Sequence, residues 1–279
     1  MIKTICVCGA GTMGSGIAQV AAQAGFKTIL FDVNRTMIEK SRSVIEKNLR
    51  TQVEKGRISN EDKTSILGRL VFTYKIDECR GDLIIEAIIE KLEAKVELFN
   101  NVSKLNSSEV IFATNTSSLS INKIAERLAN AERLIGMHFF NPAQIMKLVE
   151  VVKGTHTGNE VAHQIVELTK QLGKTPVICK DVPGFIVNRI ARPYYLEAMK
   201  LLETGMDVES IDRIMEASGF KMGPFKLIDL IGMDINYSVS DIVWEALGNP
   251  DRLTPSSIQK QKVDAGELGK KTGKGFYSY

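Results

Sequence analysis

Apolar residues fall in short dense runs, separated by helix-length stretches of mixed polarity. The first run, MIKTICVC, ends at Cys8 and is followed at once by Gly9, Gly11, Gly14 and Gly16. A β-branched run bounded by glycine predicts a buried strand over residues 1–8. Apolar spacing over residues 14–25, closed by a glycine, predicts a helix. KTILF over residues 27–31 predicts a second strand, and a long polar-faced helix is expected over 33–55. Further strands are expected at 70–73, 83–86, 110–113, 134–137, 146–152 and 175–179, with helices at 92–105, 120–128 and 158–172. Strands alternating with helices imply a parallel sheet covered on both faces. The alternation stops near Asp181. From Phe185 onward the pattern is helical only, over 185–203, 207–217 and 234–247, interrupted by Gly-Pro, Asn-Pro and Thr-Pro. Two domains are expected: residues 1–182, α/β, and residues 183–279, smaller and all-α.

The glycines carry the first chemical signal. The first strand runs into Gly9-Ala10-Gly11-Thr12-Met13-Gly14, where a helix opens. In this order Gly9 permits a tight turn, Gly11 admits a pyrophosphate, and Gly14 lets helix and strand pack closely. The helix N-terminus then offers N–H groups and partial positive charge to phosphates, with Thr12 and Met13 in its first turn. Asp32 closes the second strand, eighteen residues after Gly14. Its carboxylate suits the two ribose hydroxyls of an adenosine and repels a 2′-phosphate, so NAD is expected over NADP. Arg35 stands near enough to keep NADP open, and some S-adenosylmethionine enzymes share part of the pattern. The expected fold is a Rossmann-type, mostly parallel sheet with helices on both faces, followed by the smaller all-α domain.

Composition narrows the class. The chain has 279 residues, 44% hydrophobic and 25% charged, with 36 basic against 33 acidic side chains. A net charge of +3 and no run of five like charges point away from nucleic acid. The apolar start is broken by glycines and lacks a basic flank, and no long apolar run follows. A cytoplasmic protein with no membrane partner is expected. Cys6 and Cys8 alternate along one strand and read as core filler. With no C-x-x-C pair and no ligand-like spacing of His138, His156 and His163, no metal is expected.

The remaining unusual polar residues sit where strands end, which is where open α/β sheets bind ligands. DLIIE ends in Glu86 and AIIE in Glu90; VIFAT leads into Asn115, Thr116 and Ser117; RLIGM leads into His138. Glu150 lies inside the apolar run LVEVV, a costly position unless it is paired. His138 alone reads first as a hydrogen-bonded core histidine, and Glu150 as an outward strand residue. Together they suggest a dyad in which Glu150 accepts the proton-bearing ring nitrogen and sets the tautomer, leaving a general base for a hydroxyl group. Ser117 also reads as part of a helix cap, and Asn188 and Lys95 as exposed helix residues. The basic stretch Lys47, Arg50, Lys55 and Arg57 reads first as a solvated helix face and second as a contact for substrate phosphates.

Several longer motifs, in matching order from end to end, carry a resemblance: GAGTMGSGIA (9–18), EAIIEKLEAK (86–95), TNTSSL (114–119), GMHFFNPAQIMKLVEVV (136–152), KDVPGFIVNR (180–189), GPFKLIDLIGMD (223–234) and LGKKTGKGFYSY (268–279). The chain resembles the short-chain 3-hydroxyacyl-CoA dehydrogenases, in particular the stand-alone 3-hydroxybutyryl-CoA dehydrogenase type. The resemblance implies that Asp32 holds the adenosine ribose and that Glu90, Lys95 and Asn115 line an NAD site. It implies that His138 is the base with Glu150 its partner, that Ser117 and Asn188 bind substrate oxygens, and that the region of Arg50 and Lys55 helps hold CoA. An acyl-CoA substrate of S configuration at C3 and a homodimer formed through residues 185–279 are implied as well. Three alternatives stand beside it: a related two-domain dehydrogenase of a free hydroxy or sugar acid, a non-catalytic NAD-binding protein, and a methyltransferase.

Overall fold

The computed structural model describes residues 2–279, so Met1, at the start of the expected first strand, lies outside the described residues. The chain divides into two compact units, Met1–Asp181 and Val182–Tyr279.

The first unit begins β1 (Thr4–Cys8), α1 (Thr12–Gln23), β2 (Lys27–Phe31), α2 (Arg35–Glu54), α3 (Asn60–Gly68), β3 (Leu70–Thr73) and β4 (Leu83–Glu86). It continues α4 (Leu92–Ser103), β5 (Ile111–Thr114), α5 (Ile121–Ala125), β6 (Leu134–Phe139), β7 (Leu148–Lys153), α6 (Asn159–Gln171) and β8 (Thr175–Lys180). Its eight strands form one sheet in the order β3-β2-β1-β4-β5-β6-β7-β8. The chain winds outward from β1 to β3, returns, and winds the other way from β4, so the order reverses between β1 and β4. Crevices for ligands open at such a switch point, beyond the carboxyl ends of the strands.

Both faces of the central strands are buried. Ile5, Val7, Leu30, Ile85 and Ala113 pack with Ile17, Ala21 and Ile45 on one face. The alternate residues Cys6, Cys8, Ile84 and Phe112 are buried as well. Strands buried on both sides read as unbroken apolar runs, which is why no period-2 polarity marks them. Each such Ile or Val contributes about 1.5–3 kcal/mol relative to an exposed position.

Two local features depart from the sequence expectation. β7 runs antiparallel to β6, a reversal that the expected mostly parallel sheet did not locate. No helix separates these two strands, and residues 140–147 are too few for a crossover, which needs a dozen or more. α3, absent from the pattern-based reading, has almost no apolar periodicity. It is nucleated by a capping box in which Ser59 accepts from the Asp62 N–H and Asp62 accepts from the Ser59 N–H.

The second unit contains α7 (Val187–Glu203), α8 (Val208–Ala217), α9 (Pro224–Ile231), α10 (Met233–Ala246) and α11 (Ser257–Asp264). Its core joins Tyr195, Met199, Ile211, Phe225, Ile228 and Met233. The sequence reading took Gly223-Pro224 only as a break. Pro224 in fact occupies the first position of α9, where its missing N–H removes no hydrogen bond. Among the described residues, no helix is long and apolar enough to cross a membrane.

Candidate active site

The turn from β1 into α1 is tight. Gly9 has φ of +109°, and its N–H donates to the Phe31 carbonyl at 2.7 Å. A Cβ on Gly9 would lie 2.4 Å from the Ala87 carbonyl oxygen, and one on Gly14 only 1.7 Å from the Gly9 oxygen. Side chains at either position would push the loop off β4 or α1 off the sheet. At Gly11 a Cβ would meet nothing within 4 Å, so that side of the loop is open. Gly11 is the N-cap of α1 and no side chain caps the helix there. Its first-turn N–H groups have no intrahelical acceptor. Asp32 accepts from the Ala10 N–H at 2.8 Å and the Asn34 N–H at 2.9 Å. It therefore ties the glycine loop to the end of β2, and each oxygen keeps a further lone pair. Beside the loop lies a cavity of about 140 Å³ lined by Gly11, Thr12, Ser15, Lys40, Asn48 and Gln144, among others. An open glycine side, an uncapped helix N-terminus and an anchored carboxylate fit the pyrophosphate and ribose of a dinucleotide.

A buried charge network sits at the exits of β4 and β5. Lys95, 1% exposed, reaches Glu86 at 2.6 Å and Glu90 at 3.1 Å. Glu86 also accepts from the Thr114 hydroxyl at 2.6 Å and the Ile88 N–H at 2.7 Å. Glu90 accepts from the Thr116 hydroxyl, from the Ser117 N–H at 3.0 Å and from the Ser118 hydroxyl at 3.1 Å. Burial holds the Glu86 carboxyl above the usual carboxylate range, against the pull of Lys95. Burial also pushes on Glu90, but Lys95 and the hydrogen bonds from Thr116 and Ser117 together hold it below that range. Asn115 accepts the Phe139 N–H at 2.9 Å and so joins the ends of β5 and β6.

At the end of β6 the register places His138 directly opposite Glu150 of β7. Opposed residues of an antiparallel pair share one face. The His138 Nδ1 lies 2.7 Å from Glu150 Oε2, with His138 6% and Glu150 1% exposed. An ionised carboxylate at Glu150 can only accept, and in that state the proton sits on Nδ1. The Phe140 ring packs against the imidazole, with centroids 4.5 Å apart.

The structure thus joins Glu90, Lys95 and Ser117 in one network, His138 with Glu150 in a second, and Asp32 with the glycine loop. Asn188 lies in the second unit, in the first turn of α7, where its carbonyl accepts from Arg192. Arg50 and Lys55 are exposed, at the end of α2 and at its C-cap. Sequence reasoning placed Glu86 and Thr116 at strand ends without giving them a role and passed over Thr114, because nothing in one dimension pairs Glu86 with Thr114 and Lys95. Of the two readings of Lys95, a plain exposed lysine and a residue lining the NAD site, the first is excluded, since the side chain is buried.

The sheet, its switch point and the loop on Asp32 are those of a dinucleotide-binding protein. The NAD binding domain of 3-hydroxyacyl-CoA dehydrogenase matches residues 4–182, and the C-terminal domain of the same enzymes matches 184–279. The 3-hydroxyadipyl-CoA dehydrogenase of Escherichia coli is 43% identical over 281 residues, covering all of this chain. This chain spans 59% of that protein's length. A probable 3-hydroxybutyryl-CoA dehydrogenase of Deinococcus radiodurans is 41% identical over 276 residues, covering 98% of this chain and 99% of its own. The solved (S)-3-hydroxybutyryl-CoA dehydrogenase of Ralstonia eutropha superposes with a TM-score of 0.95 at 36% identity, covering 100% of this chain and 99% of that one. The chain belongs to the 3-hydroxyacyl-CoA dehydrogenase family of NAD-dependent oxidoreductases.

Proposed function

We propose that this chain interconverts (S)-3-hydroxybutyryl-CoA and acetoacetyl-CoA, with His138 as acid–base and Glu150 as its partner. The observation that carries the reading is the buried 2.7 Å contact between Nδ1 and Glu150. NAD bound at the glycine loop would supply the hydride acceptor for C3 of the substrate or, in its reduced form, the hydride donor. In oxidation, Nε2 of His138 takes the proton of the C3 hydroxyl. In reduction, the imidazolium gives that proton to the forming alkoxide. Glu150 holds the tautomer and stabilises the imidazolium. Gly9, Gly11, Thr12, Met13 and Gly14 would cradle the pyrophosphate, and Asp32 the adenosine ribose. Glu90, Lys95 and Asn115 would line the nicotinamide half. Ser117 and Asn188 keep the substrate-oxygen roles, and Arg50 and Lys55 the CoA contact, on the resemblance alone. The carboxylate of Asp32 favours NAD over NADP by repelling a 2′-phosphate.

The test is consumption of reduced cofactor with acetoacetyl-CoA, 3-oxoadipyl-CoA and free acetoacetate, using NADH and NADPH, on wild type and His138→Gln. NADH oxidation with acetoacetyl-CoA that collapses in the variant is the expected result. Faster turnover of 3-oxoadipyl-CoA overturns the chain-length assignment, and faster NADPH oxidation overturns the cofactor preference. Turnover of acetoacetate alone moves the reading to a free-acid dehydrogenase. NADH binding without any turnover would make the chain a non-catalytic binder.

A further inference from the structure

Cys6 and Cys8 alternate along β1 and point to one face of the sheet. Cys79 follows the one-turn helix Ile76–Glu78 and precedes β4, the strand paired with β1 in the register Cys6↔Ile84. The fold therefore brings a third thiol, distant in sequence, onto the first two. All three are 0% exposed. The Cys6 and Cys8 sulfurs are 3.9 Å apart, and all three sulfurs lie within 4.8 Å of one another. No histidine or carboxylate joins the cluster, and among the described residues it is the one group of three or more potential ligands this close together. The core-filler reading of Cys6 and Cys8 thus omits their common neighbour. No step of the proposed reaction uses these thiols.

We propose that Cys6, Cys8 and Cys79 form a binding site for a soft, three-coordinate, monovalent metal ion of the copper(I) class. A metal–sulfur bond of about 2.3 Å sets three coplanar sulfurs about 4.0 Å apart. The Cys6–Cys8 sulfur separation of 3.9 Å matches that value, and the whole cluster lies within 4.8 Å. Structural zinc takes four protein ligands, and the cluster supplies three. Soft thiolates with no oxygen or nitrogen donor beside them select copper(I). Each ligating thiol gives its proton to solvent as its bond to the metal forms, and no electron is transferred. Because Cys8 directly precedes Gly9, a seated ion would clip the end of β1 at the glycine loop to the segment entering β4.

The reduced full-length chain is titrated anaerobically with copper(I) against a bicinchoninate competitor, desalted, and its metal counted by mass spectrometry. The expected result is one copper per chain, a raised Tm on loading, and loss of both in Cys79→Ala and Cys8→Ala. Cys179→Ala removes the one thiol outside the cluster and should keep both effects. Far-UV circular dichroism establishes that each variant is folded, and either ligand variant suffices if the other is not. Failure of the wild type to retain copper overturns the proposal, as does copper retention that survives loss of Cys8 or Cys79. One equivalent of zinc held through the same cysteines overturns the three-coordinate assignment.

Discussion

Both units bury carboxylates, and they use them differently. In the first unit the buried Glu86 and Glu150 face a lysine ammonium and an imidazole, and the more exposed Glu90 shares the same lysine. In the second, Asp212 accepts from the Phe225 N–H at 2.8 Å, the Lys226 N–H at 2.9 Å and the Tyr277 hydroxyl at 2.8 Å. Asp229 accepts from the Phe276 and Tyr277 N–H groups, both at 2.9 Å, and from the Tyr279 hydroxyl at 3.1 Å. A Cβ on Gly223 would fall 2.4 Å from Asp212 Oδ1, and one on Gly275 2.1 Å from Asp229 Oδ1. These aspartates cap the start of α9 and anchor the GFYSY end of the chain. Burial alone does not separate the two uses; the donors differ. Glu150 faces an imidazole and Glu86 an ammonium, whereas Asp212 and Asp229 face backbone N–H groups and phenol hydroxyls.

The largest expected effect tests the proton-carrying side. His138→Gln should lower kcat roughly 10³-fold, about 4 kcal/mol of barrier, with NADH affinity and Tm little changed. Asp229→Ala should act the other way, lowering unfolding stability by about 2–4 kcal/mol in urea melts because three donors lose one acceptor. An Asp229 variant with normal stability and lost kcat would erase the distinction between the units. Glu150→Gln should lower kcat roughly 10²-fold and shift the pH–rate profile, since the amide keeps shape but not charge. A stability loss with an unmoved pH profile would make Glu150 structural, like Asp229.

A pH series sharpens the comparison within the first unit. The folded carboxyl of Glu90 lies below the unfolded value of about 4.3. Its contribution to stability is therefore full above that value and is lost as pH falls through the lower folded one. Glu86 lies above it, so its contribution is full at lower pH and is lost as pH rises through the folded value. In urea melts between pH 3 and 7, the cost of Glu90→Gln should shrink on acidification and that of Glu86→Gln should grow. The smallest effect is expected at Asp32→Ser, which should raise relative NADPH use by roughly tenfold, or 1.4 kcal/mol.

Much of the first unit was legible because its signals are local. β2, β3 and β4 occupy the ranges their apolar runs predict. The glycine loop is legible because only glycine tolerates the backbone approaches at Gly9 and Gly14. α5 is shorter than its pattern, five residues at Ile121–Ala125, and α11 was missed because a short polar helix carries little periodicity. The direction of β7 could have been read from the brevity of residues 140–147. The anchoring of Asp212 and Asp229 could not, since their partners stand far along the chain and are largely backbone groups.

The sequence by itself determined the alternation of strands and helices, the dinucleotide loop with its closing Asp32, and the change to helices near Asp181. Each rests on steric or periodic constraints acting within a few residues. Tertiary structure alone decided which polar groups meet. The antiparallel register sets His138 against Glu150, the turn from β4 into the start of α4 sets Lys95 against Glu86, and the entry to β4 sets Cys79 against Cys6 and Cys8. Those pairings depend on hydrogen-bond register and on close packing across the sheet, and neither is encoded at any one position of the chain.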